Sequence, residues 1–196
     1  MRKEIKDEIL DAAKALFIAK GYHGVSLQDI ADSVGISKGN LTYHFNKKET
    51  IMEVLLSRNE EKKHHAVPTT LKELDPIFRD LRRAQQDNAY YFLHHAELSQ
   101  LSAKIAELQD AAYRESKELF KQGFINLQAS GTLRDELFPG EYDCAIDALL
   151  MAFIYWQPYS HLCKTSNVID GCRRQAWSIL YRLLTEKGLL EIKAID

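Results

Sequence analysis

Cysteine is scarce in this chain: Cys144, Cys163 and Cys172 are an odd number, and no two form a CxxC pair. That argues against a disulfide framework and against paired-thiolate zinc ligation, and in a reducing compartment all three would stay thiols. Long apolar runs are missing too. The longest covers residues 148–156, far short of the roughly 20 residues that span a bilayer, so no membrane partner is expected. The N-terminus, MRKEIKDE, has no apolar core or small-residue cleavage pattern, and a cytoplasmic location is the expectation. Nor is there an excess of charge of one sign, since 26 Lys+Arg face 28 Asp+Glu for a net −2. A chain so close to neutral does not coat itself on polyanions at large, and any nucleic-acid contact must be local and shaped. Strand-like alternation of useful length, internal repeats and low-complexity linkers are likewise absent. The 45% hydrophobic content excludes a wholly disordered chain.

What is present is helical periodicity from the first residues. Ile5, Ile9, Ala12/Ala13 and Leu16/Phe17 recur on one stripe before Gly21, which predicts a helix over 3–20. Ser26 with Asp29 three residues later is a capping-box variant opening a short helix that carries Leu27, Ile30, Ala31 and Val34 and ends at Gly35. Ser37 caps a third helix with Leu41 and Phe45 facing inward, and Asn46 with Glu49 opens a fourth through Ile51, Val54 and Leu55. Further on, Asp75 before Pro76 reads as an N-cap with proline in the first helical position, starting a helix that runs into the nineties. Residues 101–129, 141–164 and 167–187 complete the pattern, punctuated by Ser130-Gly131 and Phe138-Pro139-Gly140. The fold class is all-α: a three-helix N-terminal head over residues 1–50 and a larger helical body over 51–196.

The head carries the chemistry. Residues 1–50 hold eight basic against seven acidic side chains, and the stretch 33–48 has no acid but contains Lys38, Lys47, Lys48 and His44. Two short helices with a glycine-bearing turn, sharing a small core of Leu27, Ile30, Val34, Leu41 and Phe45, have the dimensions of a helix-turn-helix. In this arrangement Gly35 accommodates a positive φ, Ser37 caps the recognition helix, and Gly39 has no Cβ to obstruct a phosphate backbone. Lys38, Asn40, Thr42 and Tyr43 are left on the outward side.

The segment SLQDIADSVGISKGNLTYHFNKKET, with AAKALFIAKGYHGVS before it, resembles the helix-turn-helix signature of the tetracycline-repressor (TetR) family. The resemblance is close over roughly the first fifty residues, and the length and helical remainder fit the same family. It implies that Asn40, Thr42 and Tyr43 face the major groove, and that Ser26, Ser37, Lys38, His44 and Lys48 contact or border phosphates. Gly39 belongs to the same DNA-binding set. Thr42 is a departure, standing where the family commonly has an aromatic, usually tyrosine; Tyr43 next to it is a partial substitute.

Two other chemistries have partial sequence matches. Gly35-Ile36-Ser37-Lys38-Gly39 formally matches the GxSxG nucleophile elbow of serine hydrolases, but that motif needs a preceding strand and a parallel sheet, and here it follows an amphipathic helix. His64-His65 and His94-His95 are adjacent pairs that diverge by about 100° on a helix, so neither catalysis nor a metal or cofactor is expected.

In the body, the series Phe78, Leu81, Gln85, Asn88, Phe92 and His95 places polar groups on an otherwise apolar stripe, which a ligand or ordinary intramolecular hydrogen bonds would satisfy. Tyr90, Tyr91, Phe120, Phe124 and Tyr159 offer aromatic walls. The candidate ligand-binding set is Gln85, Asn88, Phe92, His95, Phe124 and Tyr159. The helix over 141–164 is apolar on two stripes, and so is the one over 167–187; one stripe of each can meet a partner or thicken a monomeric core. The family resemblance implies a four-helix dimer interface, assigned here to Leu149, Phe153, Trp156, Trp177, Leu180 and Leu184. Together these expectations describe a homodimeric one-component regulator, a repressor, released from a palindromic double-stranded DNA operator by a small-molecule inducer. The alternative is a helical ligand-binding or protein-interaction module without sequence-specific DNA binding.

Overall fold

The computed structural model describes residues 4–60, 65–163 and 171–195. Eleven helices occur among the described residues, and no strand. In chain order they are α1 (Ile5–Lys20), α2 (Leu27–Val34), α3 (Lys38–His44), α4 (Lys48–Glu60), α5 (Leu71–Asp87), α6 (Ala89–Leu93), α7 (His95–Leu101), α8 (Ala103–Ala129), α9 (Glu141–Leu162), α10 (Gly171–Tyr181) and α11 (Glu186–Ile192). They form two compact units, one of Met1–Lys63 with Asn88–Asp110, the other of His64–Asp87 with Ala111–Asp196. The unit containing the head is thus larger than residues 1–50. The expected helix ends at Lys3, Lys164 and Asn167 lie outside the described residues.

The head's core follows the predicted stripes. Ile9, Leu10, Ala13 and Phe17 of α1 are fully buried with Ile30 and Ala31 of α2, Leu41 of α3, and Ile51 and Met52 of α4. Phe17 is the hub: its ring lies 5.4 Å from that of Tyr22 and 5.8 Å from that of Tyr90. Tyr90, Leu98 and Ile105 complete this core, so residues 88–110 are structural members of the head. Each such apolar side chain contributes on the order of 1.5–3 kcal/mol by leaving water. The turn after α2 is fixed by Gly35, whose φ of 75° and ψ of 31° are left-handed. Its N–H and that of Ile36 close onto the carbonyls of Asp32 and Ala31 at 3.2 and 3.0 Å, a helix end that favours glycine.

The second unit is built on Leu74 and Phe78 of α5, Phe120 and Phe124 of α8, Ile146, Leu149 and Phe153 of α9, and Cys172, Ala176 and Leu180 of α10. Three sequence expectations change here. Asp75 is not an N-cap: α5 begins at Leu71 after a cap in which Thr70 Oγ1 accepts from Glu73 N (3.3 Å) and Glu73 Oε2 accepts from Thr69 N (2.7 Å). Asp75 is instead buried, with Oδ1 accepting from Arg173 Nε at 2.7 Å and Trp177 Nε1 at 3.2 Å, and Oδ2 paired to Arg79 at 2.5 Å. The helix expected to run into the nineties ends at Asp87, because Asn88 (φ −128°, ψ 35°) and His94 (φ −114°, ψ 16°) leave helical geometry and divide the remainder into α6 and α7. The last expected helix is also split after Tyr181, where Leu183 and Thr185 exchange backbone hydrogen bonds with Arg134 and Thr132 at 2.9 and 3.1 Å. Thr185 then caps α11. Gly188 is required there, since a Cβ would lie 2.4 Å from the Thr132 carbonyl oxygen.

Candidate nucleic-acid interface

The recognition helix α3 is only seven residues long, too short to stand alone, and it is held from one side. Leu41 and Phe45 are buried in the head's core, while Lys38, Gly39 and Asn40 are exposed and Tyr43 is 86% exposed. Ser37 Oγ accepts from Asn40 N at 3.1 Å and starts the helix. A Cβ on Gly39 would touch nothing closer than Ser37 Oγ at 3.9 Å. The chain's own packing therefore leaves that position open to a closely approaching partner.

The remaining residues of the expected set differ in how free they are. Ser26 is committed to its capping box: its Oγ accepts from Asp29 N at 3.2 Å and donates to Asp29 Oδ2 at 2.5 Å, and its N–H donates to the same oxygen at 2.7 Å. These hydrogen bonds, the hydroxyl first, hold the Asp29 carboxyl below its ordinary range. Thr42 turns its hydroxyl back, donating to the Lys38 carbonyl at 2.9 Å and the Gly39 carbonyl at 3.0 Å. Its hydroxyl proton is thereby committed to the helix backbone. His44 packs edge-on against Tyr43, ring centres 5.2 Å apart.

Lys48 has a role that the sequence reading missed. Its ammonium donates to the Tyr22 carbonyl at 2.7 Å and the Val25 carbonyl at 2.8 Å. Two of its three N–H bonds thereby latch the α1–α2 turn. Burial pushes its pKa down. The Tyr22 hydroxyl in turn donates to Glu49 Oε1 at 3.2 Å, and burial, followed by the Glu49 charge, raises its pKa. Lys38 and Lys47 are both exposed. No acid lies on α3, so this face is basic. The Gly35–Gly39 motif bridges α2 and α3 with Ser37 serving as a cap and no strand before it, which removes the geometric basis for a nucleophile elbow.

The six candidate ligand residues fall three to each unit. In the second, the Gln85 amide donates to the Phe153 carbonyl, Phe124 is fully buried with its ring 5.6 Å from Tyr142, and Tyr159 is more than half exposed beside Trp156. In the first, Asn88 is buried, Phe92 lies edge-on to Tyr91, and His95 is partly buried, with burial lowering its pKa. The breaks at Asn88 and His94 remove the single stripe on which the set was predicated. Two hollows are lined by none of the six. One, polar, is bordered by Asn46, Glu53, Leu101 and Ser102 in the head unit; the other lies beside Arg173, Trp177 and Ile195 in the second unit.

The expected dimer residues divide between core and partly exposed positions. Leu149, Phe153, Leu180 and Leu184 are buried in the chain's own core, and Trp156 and Trp177 are partly so. The apolar side chains left outward are Met151, Tyr155, Tyr159 and Leu162 on α9 and Tyr181 at the end of α10, each 47–80% exposed.

An exposed, basic, doubly capped helix-turn-helix on a small aromatic core defines a DNA-binding head, and residues 9–55 match the model of bacterial regulatory proteins, tetR family. That match covers the head alone, which is thereby of the TetR-family helix-turn-helix type. It is 53% identical over 49 residues to the biofilm operon icaADBC negative transcriptional regulator IcaR of Staphylococcus aureus strain Newman, a match covering 25% of this chain and about a quarter (26%) of that protein. Along its whole length the fold is similar to a TetR-family regulator from Marinobacter aquaeolei VT8, with TM-score 0.82, 18% identity, and 100% and 97% of the two chains covered. It is also similar to SmeT in its triclosan complex, with TM-score 0.61, 14% identity, and 94% and 93% covered. Among the described residues no helix is long and apolar enough to cross a membrane.

Proposed function

We propose that this chain is a homodimeric one-component transcriptional repressor, in which residues 1–50 read one half of a palindromic operator and residues 51–196 dimerise and sense a small molecule. The observation that carries the reading is the α3 surface: Asn40 and a highly exposed Tyr43 project from a helix whose other side, Leu41 and Phe45, is anchored in the core. Base edges are read by such side chains, while Lys38 and Lys47 neutralise phosphates.

Repression is supported by IcaR, a negative regulator, with which the head shares about half its residues. A small-molecule effector is supported by SmeT, a similar fold seen with triclosan. Dimerisation is supported by the outward stripe of Met151, Tyr155, Tyr159 and Leu162, since contiguous exposed apolar surface marks a partner face. Because Tyr90, Leu98 and Ile105 are part of the head's core, an effector that shifts residues 88–110 repacks the head itself. A coupling of about 1–3 kcal/mol changes operator affinity roughly 5- to 150-fold.

Footprinting the purified protein on genomic fragments at two salt concentrations, with its mass in solution recorded alongside, tests the reading. A protected palindrome bound by a dimer, weakening with salt, is the expected result. A dimer or monomer protecting no sequence at either salt would instead mark an interaction module without specific DNA binding.

A further inference from the structure

Within the head unit, three side chains from separate stretches of chain converge on one point. His23 follows α1, His94 is the non-helical residue between α6 and α7, and Glu97 lies in the first turn of α7. His23 Nε2 is 2.9 Å from Glu97 Oε1, His94 Nδ1 is 3.3 Å from Glu97 Oε2, and the three donor atoms lie within 4.8 Å of one another. We propose that His23, His94 and Glu97 form a binding site for a divalent first-row transition ion, of which Zn²⁺ is the representative.

Donor chemistry and geometry both favour such an ion. Two imidazole nitrogens and one carboxylate suit zinc, nickel, cobalt or copper, whereas magnesium and calcium take oxygen donors. Ligands about 2.1 Å from a tetrahedral ion are about 3.4 Å apart, close to the two separations from Glu97. The imidazole nitrogens are brought into range by small rotations of side chains that are 52% and 31% exposed, and solvent completes the coordination. The rings are already oriented: His23 packs edge-on to Tyr22 at 5.2 Å and to His94 at 5.5 Å. His95 packs instead against Tyr91, ring centres 5.2 Å apart, so His94 at the break between α6 and α7 meets His23 without its neighbour. As mere solvent-exposed contacts these would add little to stability. An ion at their centre ties α7 to the turn between α1 and α2, the turn whose carbonyls Lys48 holds.

The test uses the full chain without a histidine tag, stripped with chelator, in a Cys144→Ser, Cys163→Ser background that removes the two exposed thiols. Zn²⁺ is titrated against a chromophoric chelator, and thermal unfolding is followed with and without the metal. One Zn²⁺ per chain and a raised Tm are expected, both lost in His23→Ala and in His94→Ala, weakened in Glu97→Gln, and kept in His161→Ala. Circular dichroism checks that each variant is folded. Absence of stoichiometric binding, or binding that survives the loss of both His23 and His94, overturns the proposal.

Discussion

The ammonium of Lys48 lies 4.1 Å from the centre of the Tyr22 ring and donates a hydrogen bond to that residue's own carbonyl. One lysine thus joins the start of α4 to the turn that precedes α2, setting the helix-turn-helix against its supporting helix. Replacing it with Met, which keeps the stem but not the donors, leaves the carbonyls of Tyr22 and Val25 without this partner. The head should lose about 1–3 kcal/mol, read as a lower urea midpoint. A Lys38→Met variant, replacing an exposed lysine, should keep its midpoint and show a shallower salt dependence of DNA binding instead.

Tyr43 separates reading from folding. Because it is 86% exposed, Tyr43→Ala should change stability by less than about 0.5 kcal/mol. Across a panel of operator variants it should relax discrimination at one or two base pairs by about 1–3 kcal/mol. Equal loss on every sequence would assign Tyr43 to the phosphate backbone.

On α9, an exposed and a buried residue should have different consequences. Tyr155 is 47% exposed and Leu149 fully buried. Tyr155→Glu should yield a folded monomer in sedimentation with an unchanged helical spectrum. Leu149→Ala should lower stability by about 2–5 kcal/mol.

Glu141 makes stability of the second unit acid-sensitive. Arg134 grips its two carboxylate oxygens at 2.8 and 2.7 Å, and Leu137 N donates to it at 2.8 Å. With the Arg134 bonds as the largest cause, the Glu141 pKa falls from 4.5 to about 2. For an acid whose folded pKa is depressed, the contribution is complete above the unfolded value and is lost as pH falls through the folded one. The Tm advantage of the wild type over Glu141→Gln should be constant above about pH 5 and shrink steadily between pH 4.5 and 2. A gap independent of pH would assign the effect to packing.

The head was legible in the sequence because its determinants are local. Caps such as Ser26 with Asp29 and Ser37 with the Asn40 amide act over three residues, and apolar stripes repeat every three or four, so both are written in consecutive positions. The same locality misled at Asp75-Pro76, where an N-cap pattern yielded to a buried carboxylate bound by Arg173 and Trp177 from about a hundred residues away.

What the sequence by itself determined, then, was the all-helical class, the capped helix-turn-helix and the outward set of Asn40 and Tyr43. Only the tertiary structure decided that Lys48 holds the Tyr22 and Val25 carbonyls, that the chain breaks at Asn88 and His94, and which stripe of α9 stays outside. A helix apolar on two faces must bury one and can offer the other. That choice belongs to the distant segments packed against it, and no spacing within the helix records it.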